Sequence, residues 1–437
     1  MSQSASHLFG DSLKLTAANV FFAVSTLAVG ALAARLVGPA HYGDWGAVWA
    51  LMVVTSAVFP SVVMIVARQV SGHGAHGDGA SIRRALRTSA VAVVACAVIG
   101  SALWIAAAAP LSRWLSIGEP GLMTIVALFF GASLILSHAR GALEGYGDFS
   151  GLSRNVAAEG AIRLVLGAAV LAIGWGLTGL SGAYLAAAFV ALAWGIAQTR
   201  ADRIASPAST APTVTDDDLI AVAVPPDSPA LPPGFIGPVL ATHALVVLLT
   251  NVDMILVKRV FADADAGLFT VGFTGGKLLF FLSEGLASAM FPKAVALVAK
   301  GEDTRPLLYR MMALYAGGAG LSLIAAIVAP LFLVTVFFGE EYAAAAPLLA
   351  PYTIFAASIC AAILLAKYQL ALSRYAFLAP LSIGAIVLAG ALLLYHPSLR
   401  IVTWMLATGG VAIAAATANV ALRLPRAGRQ APEKTTA

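Results

Sequence analysis

The sequence predicts an all-α membrane protein, with about twelve transmembrane helices in two six-helix bundles related by a pseudo-two-fold axis along the membrane normal. Three observations predict it. Of the 437 residues, 60% are hydrophobic and 11% are charged, with a mean hydropathy of +0.90; ordinary soluble domains carry about 25% charged residues. Apolar runs of roughly 20 residues, long enough to cross a ~30 Å hydrocarbon core, recur twelve times along the chain. A Pro- and Asp-rich segment divides those runs six and six. This composition excludes a soluble globular enzyme and a disordered scaffold. The net charge of +5 is spread along the chain and forms no nucleic-acid-binding patch.

The runs cover approximately 14–37, 45–67, 88–110, 121–139, 155–175 and 178–198 in the first half, and 235–257, 267–291, 308–338, 345–366, 376–395 and 401–422 in the second. The first is too long for the apolar core of a cleavable signal peptide and is read as the first span. The ninth is long enough to tilt, and Pro330 is expected to kink it. The segment 198–234 holds seven prolines and the acidic run Asp216–Asp218, which suits a flexible, solvated connection. The expected organisation is therefore a bundle at 1–197, a cytoplasmic linker at 198–234, a second bundle at 235–424 and a cytoplasmic tail at 425–437.

Orientation follows from Lys and Arg, which accumulate on the cytoplasmic side of membrane proteins. With the N-terminus inside, Arg35, Arg113, Lys258, Arg259 and Arg400 fall outside, Arg163 and Lys277 lie within spans, and the other nineteen of 26 basic residues fall inside. The bias alternates regularly, supporting twelve spans, both termini in the cytoplasm and residence in the cytoplasmic membrane. The outer turns near Gly38–Gly43, Gly174–Leu177, Ala262–Ala266 and Gly339–Tyr342 are too short to form a domain.

The halves resemble each other. RLVGPAHYGDW from Arg35 to Trp45 matches RVFADADAGLF from Arg259 to Phe269 at an offset of 224, aligning Gly43 with Gly267 and Trp45 with Phe269. The same offset pairs Asn19 with His243 and Thr26 with Thr250, and each following span ends near Phe-Pro, at Phe59-Pro60 and Phe291-Pro292. Both halves start on the same side, so the repeat is parallel, with a cavity expected between the halves.

Charges inside hydrocarbon cost about 2.5–3.5 kcal/mol each on insertion scales and usually face a cavity or a partner. Lys277 lies about ten residues into the eighth span, ~15 Å deep at 1.5 Å per residue, beyond easy snorkelling. It reads as a cation for an anionic substrate or as half of a structural ion pair. Glu284, seven residues on along the same helix face, is its expected partner or a proton carrier. Asp253, beside Asn251 and Thr250, reads either as an ion-coupling group or as the partner of Lys258 or Arg259. Glu159 and Arg163 have the favourable i,i+4 order of a helix ion pair, with a cavity-lining role for Arg163 as the alternative. Arg140, Glu144 and Asp148 read as a cytoplasmic end pattern, and Lys367 as a snorkelling lysine. Asn19 and His243, matched across the repeat, are expected to face the inter-half cleft. Cys96 and Cys360 have no partner at metal or redox spacing and are expected to be small buried hydrophobes. No GxxxxGK[ST] phosphate loop is present, and no metal or other cofactor is expected.

ARLVGPAHYGDW at the end of the first span, NVDMILVKRVFADADAGLFTVGFTGGK at the start of the second half and ARGALEGYGDF at the exit of the fourth span resemble the bacterial polysaccharide transporters. These oligosaccharide flippases belong to the multidrug/oligosaccharidyl-lipid/polysaccharide exporter superfamily. The resemblance implies two six-helix bundles that rock in alternating access. It also implies translocation of a polyprenyl-pyrophosphate-linked oligosaccharide, with Lys277 and Arg163 offering charge to the diphosphate. The implied partners are that lipid-linked oligosaccharide, membrane lipid, a coupling ion (H+ or Na+) and polysaccharide assembly proteins. A cation-coupled drug or metabolite antiporter of the same superfamily is the alternative, because Glu284 and Asp253 are acids suited to cationic cargo. A polysaccharide polymerase or ligase fits less well, because such enzymes need a sizeable outer loop.

Overall fold

The computed structural model describes residues 3–74, 79–199, 233–299 and 301–423, and every described regular element is helical. Most of the linker and all of the expected tail lie outside the described residues, so the expectations placed on them are not addressed by the coordinates.

The helices realise the twelve spans. α1 (Gln3–Thr55) carries the first span and opens the second without a loop. Its turn is made inside the helix at Gly38, whose φ of 74° and ψ of 168° are left-handed-side values that glycine adopts without a Cβ penalty, and Pro39 follows. The second span continues through a short 3-10 turn into α2 (Phe59–Gly74). α3 (Gly79–Trp114), α4 (Pro120–Gly145), α5 (Phe149–Ala172) and α6 (Gly176–Thr199) complete the first half. The seventh span is broken into α7 (Pro233–Leu249) and α8 (Val252–Val260). α9 (Asp263–Ala299) is the eighth. The ninth splits just before Pro330 into α10 (Arg305–Val328) and α11 (Pro330–Phe337), as a ring that removes an N–H and clashes with the preceding turn demands. α12 (Ala346–Ala371), α13 (Leu378–Leu394) and α14 (Leu399–Arg423) are the last three. The protein is a multi-pass membrane protein: nine described helices are long and apolar enough to cross a bilayer, the first of them spanning two passes, with α7–α8 as a broken span and α13 as a shorter apolar helix.

The chain packs as two compact units. Of the described residues, the first comprises 3–74, 79–199, 251–274 and 334–345; the second comprises 233–250, 275–299, 301–333 and 346–423. In the first unit α4 is the central helix, packed on α2, α3, α5 and α6. Gly141 and Gly145, one turn apart on α4, let it approach α2 closely: a Cβ on Gly141 would lie 2.7 Å from the Val63 carbonyl oxygen, and one on Gly145 would lie 2.6 Å from that of Ala67. This is the small-residue packing of membrane helices. In the second unit α12 holds the equivalent place, packed on α7, α10 and α14. α4 and α12 are both 26 residues long and both are the fourth span of their half. Each ends in a turn with one positive-φ residue, Gly147 after α4 and Ser373 after α12.

Large apolar side chains are exposed along α3, α10 and α13, among them Val98, Leu103, Leu321, Ile327, Ile386 and Val387. Such a surface belongs against hydrocarbon. Cys96, expected to be buried, is exposed on α3, whereas Cys360 is buried as expected. Hydropathy does not distinguish a lipid-facing position from a protein-facing one, because both are apolar.

Candidate functional site

Among the described residues, three polar clusters interrupt the apolar interior, two in the first unit and one in the second.

The first joins α4 and α5. Glu159 is 2% exposed. It accepts a hydrogen bond from Arg140 at 2.6 Å and another from Arg163, its i,i+4 neighbour. Asn155, fully buried, accepts from Arg140 Nε at 3.0 Å and donates to the Ala191 carbonyl of α6 at 2.8 Å. The Arg163 guanidinium also lies 4.6 Å from the ring centre of Phe22 and 4.7 Å from that of Tyr184, cation–π distances that further offset its burial. Among the described residues its Nε has no hydrogen-bond partner. The expected Glu159–Arg163 pair is thus present. Arg140, read from sequence as a cytoplasmic end residue, is instead drawn into the same network, so one carboxylate serves two cations.

The second cluster lies in the outer turns. The Lys258 side chain is completely buried and donates to Asp44 at 2.6 Å and to Asp263. Lys258 is therefore engaged by these two aspartates, while Arg259 lies 5.9 Å from the Trp114 ring centre. Arg35 donates to the carbonyls of Val336 and Phe337 at the C-terminus of α11, where the last helical carbonyls lack intrahelical partners. Tyr342 donates to the Ala34 carbonyl at 2.9 Å, and the Tyr42 and Thr274 hydroxyls lie 2.9 Å apart. Within this unit the two copies of the repeated motif meet. A Cβ on Gly43 would lie 2.9 Å from the Gly267 nitrogen, and one on Gly267 would lie 1.8 Å from the Pro39 carbonyl oxygen. The glycines aligned by the repeat are the residues that permit this approach. Asp253 is 2% exposed on α8, whose helix packs on α1.

The third cluster is in the second unit, on α7, α9 and α12. Lys277 is 6% exposed and donates to the Thr250 carbonyl at 2.8 Å. That carbonyl sits where the seventh span unwinds: α7 ends at Leu249, and Asn251 has a φ of −143°, outside the helical range. A discontinuous membrane helix offers its end carbonyls to a buried cation in this way. The break carries neither Gly nor Pro, so the pattern that marks most breaks is missing; the only sequence signal is the polar run Thr250-Asn251-Val252-Asp253. Glu284 accepts an ion-pair bond from Lys367, so Lys367 does not simply snorkel. His243 Nδ1 is 2.9 Å from the Val239 carbonyl within its own helix and lies within electrostatic reach of Lys367 and Glu284. Cys360 is in turn within reach of Lys277 and Glu284.

The structure therefore pairs Glu284 with Lys367, seats Lys277 on the Thr250 carbonyl and holds His243 against the Val239 carbonyl. In the first unit it seats Arg163 with Arg140 and Glu159. Asn19 is exposed on α1.

No protein-family model and no curated protein matches the chain. Solved structures do. An inward-facing multidrug resistance MATE family transporter of the MOP superfamily aligns with a TM-score of 0.67 and 14% identity, over 92% of this chain and 94% of that one. A MATE structure in the straight conformation aligns with a TM-score of 0.62 and 16% identity, over 94% and 95%. A MOP superfamily transporter from Pyrococcus furiosus, for which reverse polarity of the binding pocket suggests a different function, aligns with a TM-score of 0.60 and 15% identity, over 93% and 95%. Across nearly its whole length the chain has the all-α, twelve-span fold of these MATE transporters.

Proposed function

We propose that this protein is a secondary transporter that flips a polyprenyl-pyrophosphate-linked oligosaccharide across the cytoplasmic membrane by alternating access, for surface polysaccharide biosynthesis. The observation that carries this reading is the balance of charge in the intramembrane cluster of α4 and α5. Arg140 and Arg163 share the single carboxylate of Glu159. That cluster holds two cations to one carboxylate, and a buried excess cation in a membrane protein suits an anionic ligand. In the second unit Lys367 engages Glu284, and the buried Lys277 donates to the Thr250 carbonyl. A cationic drug would have to compete for acids that are already paired. The pocket polarity that sets the Pyrococcus furiosus protein apart supports weighing charge above fold here.

In this reading Lys277 and Arg163 hold the diphosphate, with His243 and Asn19 as hydrogen-bonding groups for the sugar. The termini are cytoplasmic, and segment 198–234 links the bundles at 1–197 and 235–424. Glu284 and Asp253 are the candidates for coupling to H+ or Na+, and polysaccharide assembly proteins are the expected partners. The antiporter reading is favoured by one observation, Asp253, an acid only 2% exposed on α8.

Lys277→Ala, reconstituted in proteoliposomes, is expected to lose flipping of a fluorescent lipid-linked oligosaccharide by at least tenfold while melting normally in detergent. Lys277→Arg, which keeps the charge, should retain part of the rate. Wild-type flipping by the alanine variant would remove Lys277 from the site.

A further inference from the structure

A cavity of about 630 Å³ opens between α2 and α3 in the first unit. Its walls change character along its length. Val62, Val66, Ala92 and Val93 make one end apolar, whereas Gln69, Ser81 and Arg84 make the other polar. Among the described residues Arg84 is the only charged one lining it, and Arg83 and Arg87 lie within one turn of it on the same helix, all three exposed. From Arg84 to Val93 the helix rises about 14 Å at 1.5 Å per residue. The polar end thus sits at the helix terminus and the apolar end lies deeper in the span.

The second unit has a cavity at the repeat-equivalent place, between α9 and α10, of about 400 Å³. Its charges are balanced: Lys293 and Arg310 are accompanied by Glu302 and Asp303. The two halves share the cleft, but among the described residues only the first makes it cationic.

We infer that the α2–α3 cavity is a binding site for one anionic phospholipid, with its phosphate at Arg84 and an acyl chain along Val62, Val66 and Ala92. A cationic rim over an apolar groove between membrane helices matches that amphiphile in both charge and polarity, and it matches no water-soluble anion, which would leave the apolar walls unoccupied. The balanced α9–α10 cavity offers no net attraction to the same headgroup. The inference is independent of the transported cargo, since it concerns neither intramembrane cluster.

The test is native mass spectrometry of the delipidated full-length protein titrated with phosphatidylglycerol, with phosphatidylcholine in parallel. One phosphatidylglycerol is expected to bind saturably and in preference to phosphatidylcholine. Arg84→Glu should weaken it about tenfold, Arg84→Lys should retain it, and Arg310→Glu in the second cavity should leave it unchanged. Ala92→Trp, at an exposed position, fills the apolar end without altering charge and is also expected to weaken binding; this separates a built site from general attraction to a basic surface. Equal binding of the two lipids, or equal phosphatidylglycerol binding by wild type, Arg84→Glu and Ala92→Trp, would overturn the inference. Displacement of phosphatidylglycerol by an equal concentration of polyprenyl phosphate would also overturn it, by assigning the groove to a cargo lipid.

Discussion

Replacing Gly267 by alanine is expected to cost the first unit about 3 kcal/mol, the upper end of the usual range for overpacking, and to lower the melting temperature of the purified protein by roughly 10 °C. The added Cβ would lie 1.8 Å from the carbonyl oxygen and 2.6 Å from the carbonyl carbon of Pro39. Neither atom belongs to a flexible side chain that can swing away. Relief requires α1 and α9 to separate where the repeated motifs cross, and that movement would disturb Trp45 and Phe269, each fully buried two residues from one of the crossing glycines. Gly43→Ala should behave similarly, because its Cβ would meet the Asp263 carbonyl oxygen at 2.7 Å. Gly182→Ala in α6, with open space around the new methyl group, is the control and should melt like wild type. If Gly267→Ala also melts like wild type, the close crossing is wrong.

Removing the Glu159 carboxylate is expected to be at least as damaging. Glu159→Ala leaves Arg163 buried at 7% exposure, with Arg140 beside it. Breaking one side of a buried ion pair typically costs about 3–5 kcal/mol, whereas replacing the whole pair with apolar residues is often neutral. Glu159→Leu combined with Arg163→Met should therefore recover much of the thermal stability lost in Glu159→Ala. If Arg163 also contacts the diphosphate, the double variant will fold yet flip slowly. Stability and transport are thus separable at one cluster. A Glu159→Ala protein that melts at the wild-type temperature would show that the carboxylate carries no structural load.

The residues that were legible in the sequence are those whose partners are close in the chain or set by periodicity. The twelve spans follow from run length, and the break before Pro330 from the ring's geometry. The Glu159–Arg163 pair follows from i,i+4 spacing, whereas the alignment of Gly43 with Gly267 across the repeat does not by itself reveal their close approach. What stayed hidden depends on distant packing. Arg140 reaches Glu159 across 19 residues and Lys367 reaches Glu284 across 83, so neither pairing leaves a local pattern. The unwinding at Thr250–Asn251 uses no helix breaker; a backbone carbonyl accepting from Lys277 accompanies it, and that lysine is 27 residues away. Cys96 was misplaced because apolarity marks lipid-facing and core positions alike. The turn expected at Gly38–Gly43 is made at Gly38, a single glycine at φ 74° that turns the chain between the first two spans.

The sign of the cargo's charge is the central claim, and a direct comparison of two cargoes measures it. Proteoliposomes containing the wild-type protein should be given a fluorescent polyprenyl-pyrophosphate-linked oligosaccharide and, separately, a cationic dye with an imposed proton or sodium gradient. Arg163, in a cluster of two cations with one carboxylate, predicts movement of the lipid-linked oligosaccharide well above protein-free vesicles, with no gradient-driven movement of the dye. Gradient-driven dye export without movement of the lipid-linked sugar would contradict this account and establish the antiporter reading in its place.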